Sequence, residues 1–451
     1  MAGTRLARPI VALAAAALVV GSADAPSSVG TKAALPRFGP ERVVAQVSRG
    51  GFVTQLGVAD LNGDGRPDLI ATSSEFQTPR TFPVTVLINN GRGRFVDETQ
   101  SIFSGEVPVV QNARELVVAK FNGDRRPDVF IADHGDDRAP FSGFKNTLIL
   151  SAPGGKLVDA SGNLPPASDF SHSAAAGDVN GDGSVDLYVG NIYGDNRVPP
   201  RILLNDGSGH FRVGDGLLPS AQTDLDQNKY TSCLFVDVNA DGKLDLVLGG
   251  EDITPSSVVL LNDGTGHFHV LPNALPPKPF GPNGITLDIL SLELNGDGHP
   301  DLLMASTKGD PFYVGRWIQV LINNGNGTFR DETAMRLPQV DNNAAWPIFL
   351  EPLGLFGKGI GFGVHLGGSA EAPPFYVSGD DGRFHSAALQ VPIGRLWAFL
   401  DANHDRRPDL VTVDESSGTV YVALQKTKAA KPKLRKCKKG QRSTKRKPCR
   451  R

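Results

Sequence analysis

The sequence predicts an all-β fold: a seven-bladed β-propeller of four-stranded blades, closed by an N-terminal strand that completes the last blade. Three observations carry that prediction. An acidic nine-residue loop recurs along the chain, beginning at residues 60, 120, 178, 237, 293, 351 and 401. Each unit holds four short runs rich in β-branched residues, bounded by turn formers and free of helical i, i+3, i+4 spacing. A glycine hairpin closed by phenylalanine falls at the same place in most units. So regular a period is a repeat architecture, and it overrides the two or three domains that 451 residues otherwise suggest.

The loop is clearest as DLNGDGRPD from Asp60. Side-chain oxygens stand at its first, third, fifth and ninth positions (Asp60, Asn62, Asp64 and Asp68), and Gly65 is sixth, where a sharp bend favours positive φ. Alternate oxygens folded inward around such a bend wrap a hard cation such as Ca2+. The pattern returns as Asp178, Asn180, Asp182 and Asp186; as Asp237, Asn239, Asp241 and Asp245; and as Glu293, Asn295, Asp297 and Asp301. A looser copy holds Asp401, Asn403, Asp405 and Asp409, with Arg406 in the glycine's place. In the copy from Lys120 an ammonium replaces the first carboxylate and would repel a cation. No metal is expected there, nor in the worn copy from Glu351. The competing reading is that these acids merely cap backbone amides in turns. An EF-hand does not fit: the twelfth residues are Ala71 and Val189 rather than Glu, and the flanks are strand-like.

The strands of the first unit follow in order from the loop: DLIATSS from Asp68, PVTVLINN from Pro83, RFVDET from Arg94, then ARELVVAKF from Ala113 into the next loop. The hairpin recurs as INNGRGRF, LNDGSGHF, LNDGTGHF and INNGNGTF, with a worn VSGDDGRF from Val377. Asn-Gly and Asp-Gly turns accept the positive φ that tight hairpins need. The closing Phe95, Phe211, Phe268, Phe329 and Phe384 are expected between neighbouring sheets. His210 and His267 share their slot with Arg94, Thr328 and Arg383, so they read as surface residues. The last unit stops at Tyr421–Gln425 without its Gly-Phe strand, and the run from Leu35 to Ala45 supplies one of the right kind. A ring so closed exposes no strand edge, whereas a stacked solenoid would need distinct caps.

Loops such as DLNGDGRPDL and DVNGDGSVDL, each followed by the Asn-Asp-Gly-X-Gly-X-Phe hairpin, resemble the FG-GAP or VCBS repeats of integrin alpha subunits and many secreted bacterial proteins. The resemblance runs from about residue 35 to 425. It implies a seven-bladed propeller with Ca2+ in the loop joining the first two strands of some blades, about three to five structural ions here. Backbone carbonyls near Arg66, Ser184 and Lys243 would add a ligand, as in related loops. It implies no single activity, and it places partners on the rim opposite the metal loops.

The chain divides into a leader (1–25), the propeller (26–425) and a basic tail (426–451). Arg5 and Arg8, the apolar run Ile10–Val20 and the small residues Ala23 and Ala25 read as a secretory signal, with Pro26 disfavouring cleavage after Ala25. The run is too short to span a bilayer, and no later stretch would anchor the mature chain. A secreted or cell-envelope location is expected. The propeller span carries 30 Lys or Arg against 47 Asp or Glu, an excess of negative charge that bound cations would offset. Cys233 reads as a small buried hydrophobe; Cys437 and Cys449 are candidates to pair in an oxidising compartment. The tail holds 14 basic residues in 26 and no acid, so it should be disordered, with an anionic cell-surface polymer a better partner than nucleic acid.

Ligands are expected on the variable loops between second and third strands, where Phe141, Phe144, Tyr193, Arg197, Phe312, Tyr313 and Trp317 gather. Such groups stack on sugars or anchor protein interfaces. The function this supports is a calcium-binding scaffold for a protein or carbohydrate ligand. The alternative is a polysaccharide-active enzyme using His172, Arg114 and Asp288 near the channel, although the same residues serve equally as polar groups facing channel water. No nucleophile elbow, zinc motif or phosphate loop is present.

Overall fold

The computed structural model describes residues 36–426, except 48–49, 193–195, 227–228, 252–256, 340–344, 354–360, 368–370 and 388, together with short strands at 17–18, 435–436 and 449–450. The expected leader, the basic tail and the Cys437–Cys449 pairing fall almost wholly outside these residues. Seven antiparallel four-stranded blades succeed one another along the chain, strand order following chain order in the first six, and Ala17–Leu18 lies as an extra parallel strand beside the inner strand of the second. In the first blade the strands are Phe52–Ala59, Asp68–Ser74, Thr85–Asn89 and Phe95–Asp97. The seventh sheet holds Arg395–Leu400, Asp409–Asp414 and Thr419–Ala423, and its outer strand is Arg42–Gln46, antiparallel to Thr419–Ala423.

The apolar core is divided among the joints between blades. Seven clusters form, one for each pair of neighbours, because each sheet buries both faces against the next. The closing phenylalanines Phe95, Phe211, Phe268, Phe329 and Phe384 are all buried and pack against the blade before their own. Phe211, for example, meets Phe121 edge-on at 5.6 Å. The turn residues do what the hairpin requires: Gly91 and Gly93 sit at φ +71°.

A regularity hidden from the sequence motif is a β-bulge near the start of the inner strand in six of the seven blades. It falls at Thr54, Arg114, His172, Thr231, Leu287 and Ile348, and is absent from Arg395–Leu400. A bulge re-aims side chains and carbonyls out of the sheet ladder, and here the freed groups bind the next blade. Gln55 donates to the carbonyl oxygens of Ala113 (3.3 Å) and Arg114 (3.2 Å). The Arg114 guanidinium reaches His172 Nε2 at 2.8 Å, and His172 Nδ1 reaches the Thr231 carbonyl at 3.0 Å. Thr231 and Ser232 donate to the Thr286 carbonyl, and the Leu350 amide donates to Asp288 Oδ2 at 2.6 Å. Polar links thus pass from the first blade to the sixth around the channel wall.

The sixth unit corrects the sequence register. Glu351, expected to open a worn loop, lies inside the inner strand Trp346–Pro352, and residues 354–360 of that unit are outside the described residues. The bulge at Ile348 sets this register, because it stands where Thr54 stands in the first blade. Glu351 therefore shares a wall with Asp288 and Glu115. Burial, then mutual repulsion, pushes the Glu351 carboxyl up to about 8; burial pushes Asp288 up to about 7, and Glu115 rises well above its ordinary value for the same reasons. Arg114 and Cys233 face the same charges. Acids that rise on folding hold protons the unfolded chain would release, so their stabilising contribution is lost as pH climbs through 7 to 8. Melting temperature at fixed Ca2+ is expected to fall between about pH 6 and about pH 8.5. Glu351→Gln should flatten that fall and melt higher than wild type at the alkaline end; an unchanged slope would rule this account out.

Candidate metal loops and the opposite rim

Each inner strand ends where its acidic loop begins, and antiparallel pairing brings the loop straight back: Ala59 lies opposite Asp68, while Phe52 at the other end lies opposite Ser74. The loops therefore share one face of the ring and the variable second-to-third-strand loops the other.

In the first loop Asp60 Oδ1 accepts from the amides of Gly63 (2.9 Å) and Asp64 (3.0 Å), and Oδ2 from that of Gly65 (2.8 Å). Asn62 Oδ1 accepts from the Asp64 amide, Asn62 Nδ2 donates to Asp64 Oδ2, and Asp64 Oδ1 takes the Arg66 amide. Asp178 and Asp237 likewise hold the sixth-position amides of Gly183 and Gly242, with Asn180 on Asp182 and Asn239 on Asp241. Glu293, one methylene longer, overshoots: Oε1 takes the amides of Asn295 and Gly296 instead of the sixth, while Asn295 still meets Asp297. These contacts bring together the first, third and fifth positions of each loop.

The loop from Asp401 is better formed than its sequence suggests. Arg406 takes the glycine's place at φ +62° and gives its amide to Asp401 Oδ2 at 2.7 Å, as Gly65 does to Asp60. Asn403 and Asp405 pair as in the other loops. The loop from Lys120 shows the reverse: with no first carboxylate to hold the amide, Arg125 stays out of the left-handed region. A non-glycine residue held there costs about 1–2 kcal/mol. Arg406→Gly is therefore expected to raise stability by about 1 kcal/mol after the extra unfolded-state entropy is paid, measured by urea titration; destabilisation would mean that the arginine side chain, not the bend, matters.

The ninth position plays a part that the oxygen-counting argument does not contain. Asp68, Asp128, Asp186, Asp245, Asp301 and Asp409 are all fully buried. In each, one oxygen accepts the amide of the loop's second residue, from Leu61 (3.0 Å) in the first blade to Ala402 (3.1 Å) in the seventh. The other accepts the amide at the hairpin, from Asn89 (2.8 Å) to Gln425 (2.7 Å). Burial pushes Asp68 up to about 7, with Asp64 and Asp60 adding repulsion. The hairpin asparagine then reaches back to the preceding blade: Asn205, Asn262 and Asn323 donate to the carbonyls of Phe121, Val179 and Val238 at 2.8 Å. Loop, hairpin and neighbour are one hydrogen-bonded unit, with the ninth acid at its centre.

Among the described residues no group of three or more His, Cys, Asp or Glu side chains is placed to hold a metal ion. The donor set still fits Ca2+ in kind, being oxygen throughout: two carboxylates and an amide oxygen meet at the bend, and a third carboxylate lies close behind.

On the opposite rim the sequence-selected residues divide. Phe312 stacks on Tyr313 at 4.1 Å and Tyr313 faces Trp346 at 5.6 Å, a residue sequence reasoning missed because it opens an inner strand. Arg114 also hydrogen-bonds Tyr313, so the fifth blade's loop reaches the second blade's inner strand at the channel mouth. Phe312 is 56% exposed. Phe141 instead packs on Phe170 at 5.4 Å, Phe144 pairs through its backbone with Asp169, Arg197 binds Asp226, and Trp317 is paired within its sheet; Tyr193 lies outside the described residues. Of the proton-transfer candidates, Arg114 and His172 meet while Asp288 keeps company with Glu115 and Glu351. Arginine only donates, so His172 accepts at Nε2 and donates from Nδ1 to Thr231; both ring nitrogens are engaged. Burial, with Arg114 beside it, holds this imidazole down to about 3. That leaves His172 a link between blades, not a poised base.

A ring of seven four-stranded blades with an acidic loop after each inner strand defines a class of repeat propeller. The family model for the FG-GAP-like repeat matches residues 60–131, 120–189 and 293–350. The chain is an FG-GAP-repeat β-propeller protein. No curated protein matches it. Among solved structures it is similar to Sqt1 of Saccharomyces cerevisiae (11% identity, 86% of this chain and 100% of that one, TM-score 0.50). It is also similar to BBS1N, solved in complex with ARL6DN (12% identity, 88% and 98%, TM-score 0.48). At 11% identity the likeness to Sqt1 speaks to the fold alone. No helix among the described residues is long and apolar enough to cross a membrane.

Proposed function

We propose that this chain is a secreted, calcium-stabilised propeller that serves as a binding scaffold for a protein or carbohydrate ligand on the rim opposite its acidic loops. Asp60, Asn62, Asp64 and Asp68, with the matching sets from Asp178, Asp237, Glu293 and Asp401, would hold the ions. When bound, Ca2+ supplies charge neutralisation at the bend. The protein groups orient the loop and clamp it to the hairpin.

The observation that carries the binding reading is Phe312, the one exposed large aromatic among the described residues, set on the Tyr313–Trp346 stack at the channel mouth. An open aromatic on a packed base is the usual anchor of an interface. Its truncation costs about 2 kcal/mol or more at a hot spot. Glycan-array and pull-down binding should therefore weaken at least about thirtyfold in Phe312→Ser while melting is unchanged. Binding should also vanish in chelator and return with Ca2+. Cleavage of any member of a polysaccharide panel, lost in His172→Ala, would overturn the scaffold reading in favour of an enzyme.

A further inference from the structure

The face that carries the acidic loops is divided by charge, and neither the candidate metal sets nor the Phe312 stack accounts for its basic half. Blades seven, one and two bring together Arg406, Arg92, Arg94, Lys120 and Arg125, all exposed and none in an ion pair among the described residues. The arc is continuous. The Gly93 amide donates to the Ala402 carbonyl at 2.9 Å, the Arg66 side chain lies against Gly91, and that of Arg126 lies against Gly63. The carboxylates of these loops are already engaged: Asp64, Asp124 and Asp405 by Arg66, Arg126 and Arg407, Asp60 and Asp401 by loop amides. The matching loops and hairpins of blades three and four (178–186, 205–211, 237–245 and 262–268) are acidic instead, with Lys243 their one Lys or Arg.

Position by position the change runs one way. Lys120 stands where blades one, three and four have Asp60, Asp178 and Asp237, and Arg125 and Arg406 stand where those blades have glycine. Arg92 and Arg94 occupy the hairpin slots of Ser208 and His210 in blade three. Wear of a repeat would scatter residue types; here one sign gathers in adjoining blades. Like charges left unanswered repel one another, and a partner of opposite charge relieves that cost. The cations are spread over three blades, so a small anion would meet one exposed charge and gain little, whereas a chain of anionic groups meets several. The planar fork of arginine matches the paired oxygens of a carboxylate or sulfate. Phe312, the exposed large aromatic among the described residues, lies on the opposite rim, so this face lacks a platform for stacking bases or an aromatic anchor for a headgroup layer. We propose that the arc binds a linear anionic polysaccharide, its uronate or sulfate groups lying across blades seven, one and two. This surface is separate from the Phe312 rim and does not depend on it.

Surface plasmon resonance of the full chain over immobilised polygalacturonate, dextran sulfate and neutral dextran, at fixed Ca2+ and over a salt series, tests it. At least one polyanion should bind, with affinity that falls as salt rises, and neutral dextran should not; whichever polyanion binds tells uronate from sulfate. The combined variant Arg92→Ser, Arg94→Thr, Lys120→Gln, Arg125→Ser should bind at least about tenfold more weakly with a shallower salt dependence, its melting unchanged because all four side chains are exposed. The basic tail is the internal control: Lys438→Gln, Lys439→Gln, Lys445→Gln, Lys447→Gln removes the same charge and should cost less than about threefold. Phe312→Ser should change nothing. Failure of both polyanions to bind, equal losses in the arc and tail variants, or tighter capture on phosphatidylserine vesicles or single-stranded DNA would each overturn the proposal. A partner captured through Phe312 without polyanion binding would sink this inference and leave the scaffold reading standing; polyanion binding lost in the arc variant with no rim partner would do the opposite.

Discussion

Stripping Ca2+ from the purified chain is expected to lower its melting temperature by about 8 °C. The three complete loops set the size of the effect. At a hundredfold excess over Kd each ion contributes about 2.7 kcal/mol, so three contribute about 8 kcal/mol, and a chain of this length shifts about 1 °C per kcal/mol. Scanning calorimetry in millimolar Ca2+ and again in EGTA measures it. The effect should be graded by loop: Asp60→Ala removes one ion from an equilibrium-dialysis count and shrinks the chelator shift by about a third, since it takes one of those three loops out of play. A melting curve indifferent to chelator, with no ion taken up in dialysis, would leave the acids as amide caps and nothing more.

The second large effect belongs to the blade without a metal set. Asp128 is fully buried and accepts four hydrogen bonds: the amides of Phe121 (2.6 Å), Asn122 (3.1 Å) and Ser151 (2.7 Å) and the Ser151 hydroxyl (2.8 Å). Asp128→Ala strands those donors where water does not reach. Each orphaned donor costs about 1–3 kcal/mol, so a loss of at least about 4 kcal/mol is expected. Because Lys120 heads this loop, the loss should be the same with and without Ca2+, unlike that of Asp60→Ala. Equal calcium dependence in the two variants would mean that the second blade binds an ion after all, or that the ninth acid serves only the metal.

The period and the hairpin made the ring legible because they are local: nine residues specify a bend, eight a hairpin, and burial of five phenylalanines follows. What sequence could not show depends on registers that cross blades. The bulges at Arg114 and His172 turn residues that look like catalytic candidates into struts, and nothing in either residue's neighbourhood along the chain signals a partner some 58 positions away, the separation of Arg114 from His172. The same kind of bulge at Ile348 shifts the register of the sixth unit and puts Glu351 in the channel wall. Arg406 misleads in the opposite sense: substitution of the glycine looks like decay, but three amide and side-chain contacts hold the bend in shape. Trp346 and its ring partner Tyr313 come from chain segments that meet only in the folded ring.

Between blades six and seven a ring stack takes the place that directed hydrogen bonds hold from the first blade to the sixth. There the His365 ring lies on Trp397 at 4.5 Å, and the inner strand Arg395–Leu400 has no bulge to offer its neighbour. Stacked rings slide more easily than directed hydrogen bonds break. Breathing motions should therefore gather at this one joint, and amide hydrogens of Leu396–Leu400 should exchange with deuterium before those of the matching strand Ala113–Ala119. A ring that yields at such a joint can widen its bore without unwinding any sheet.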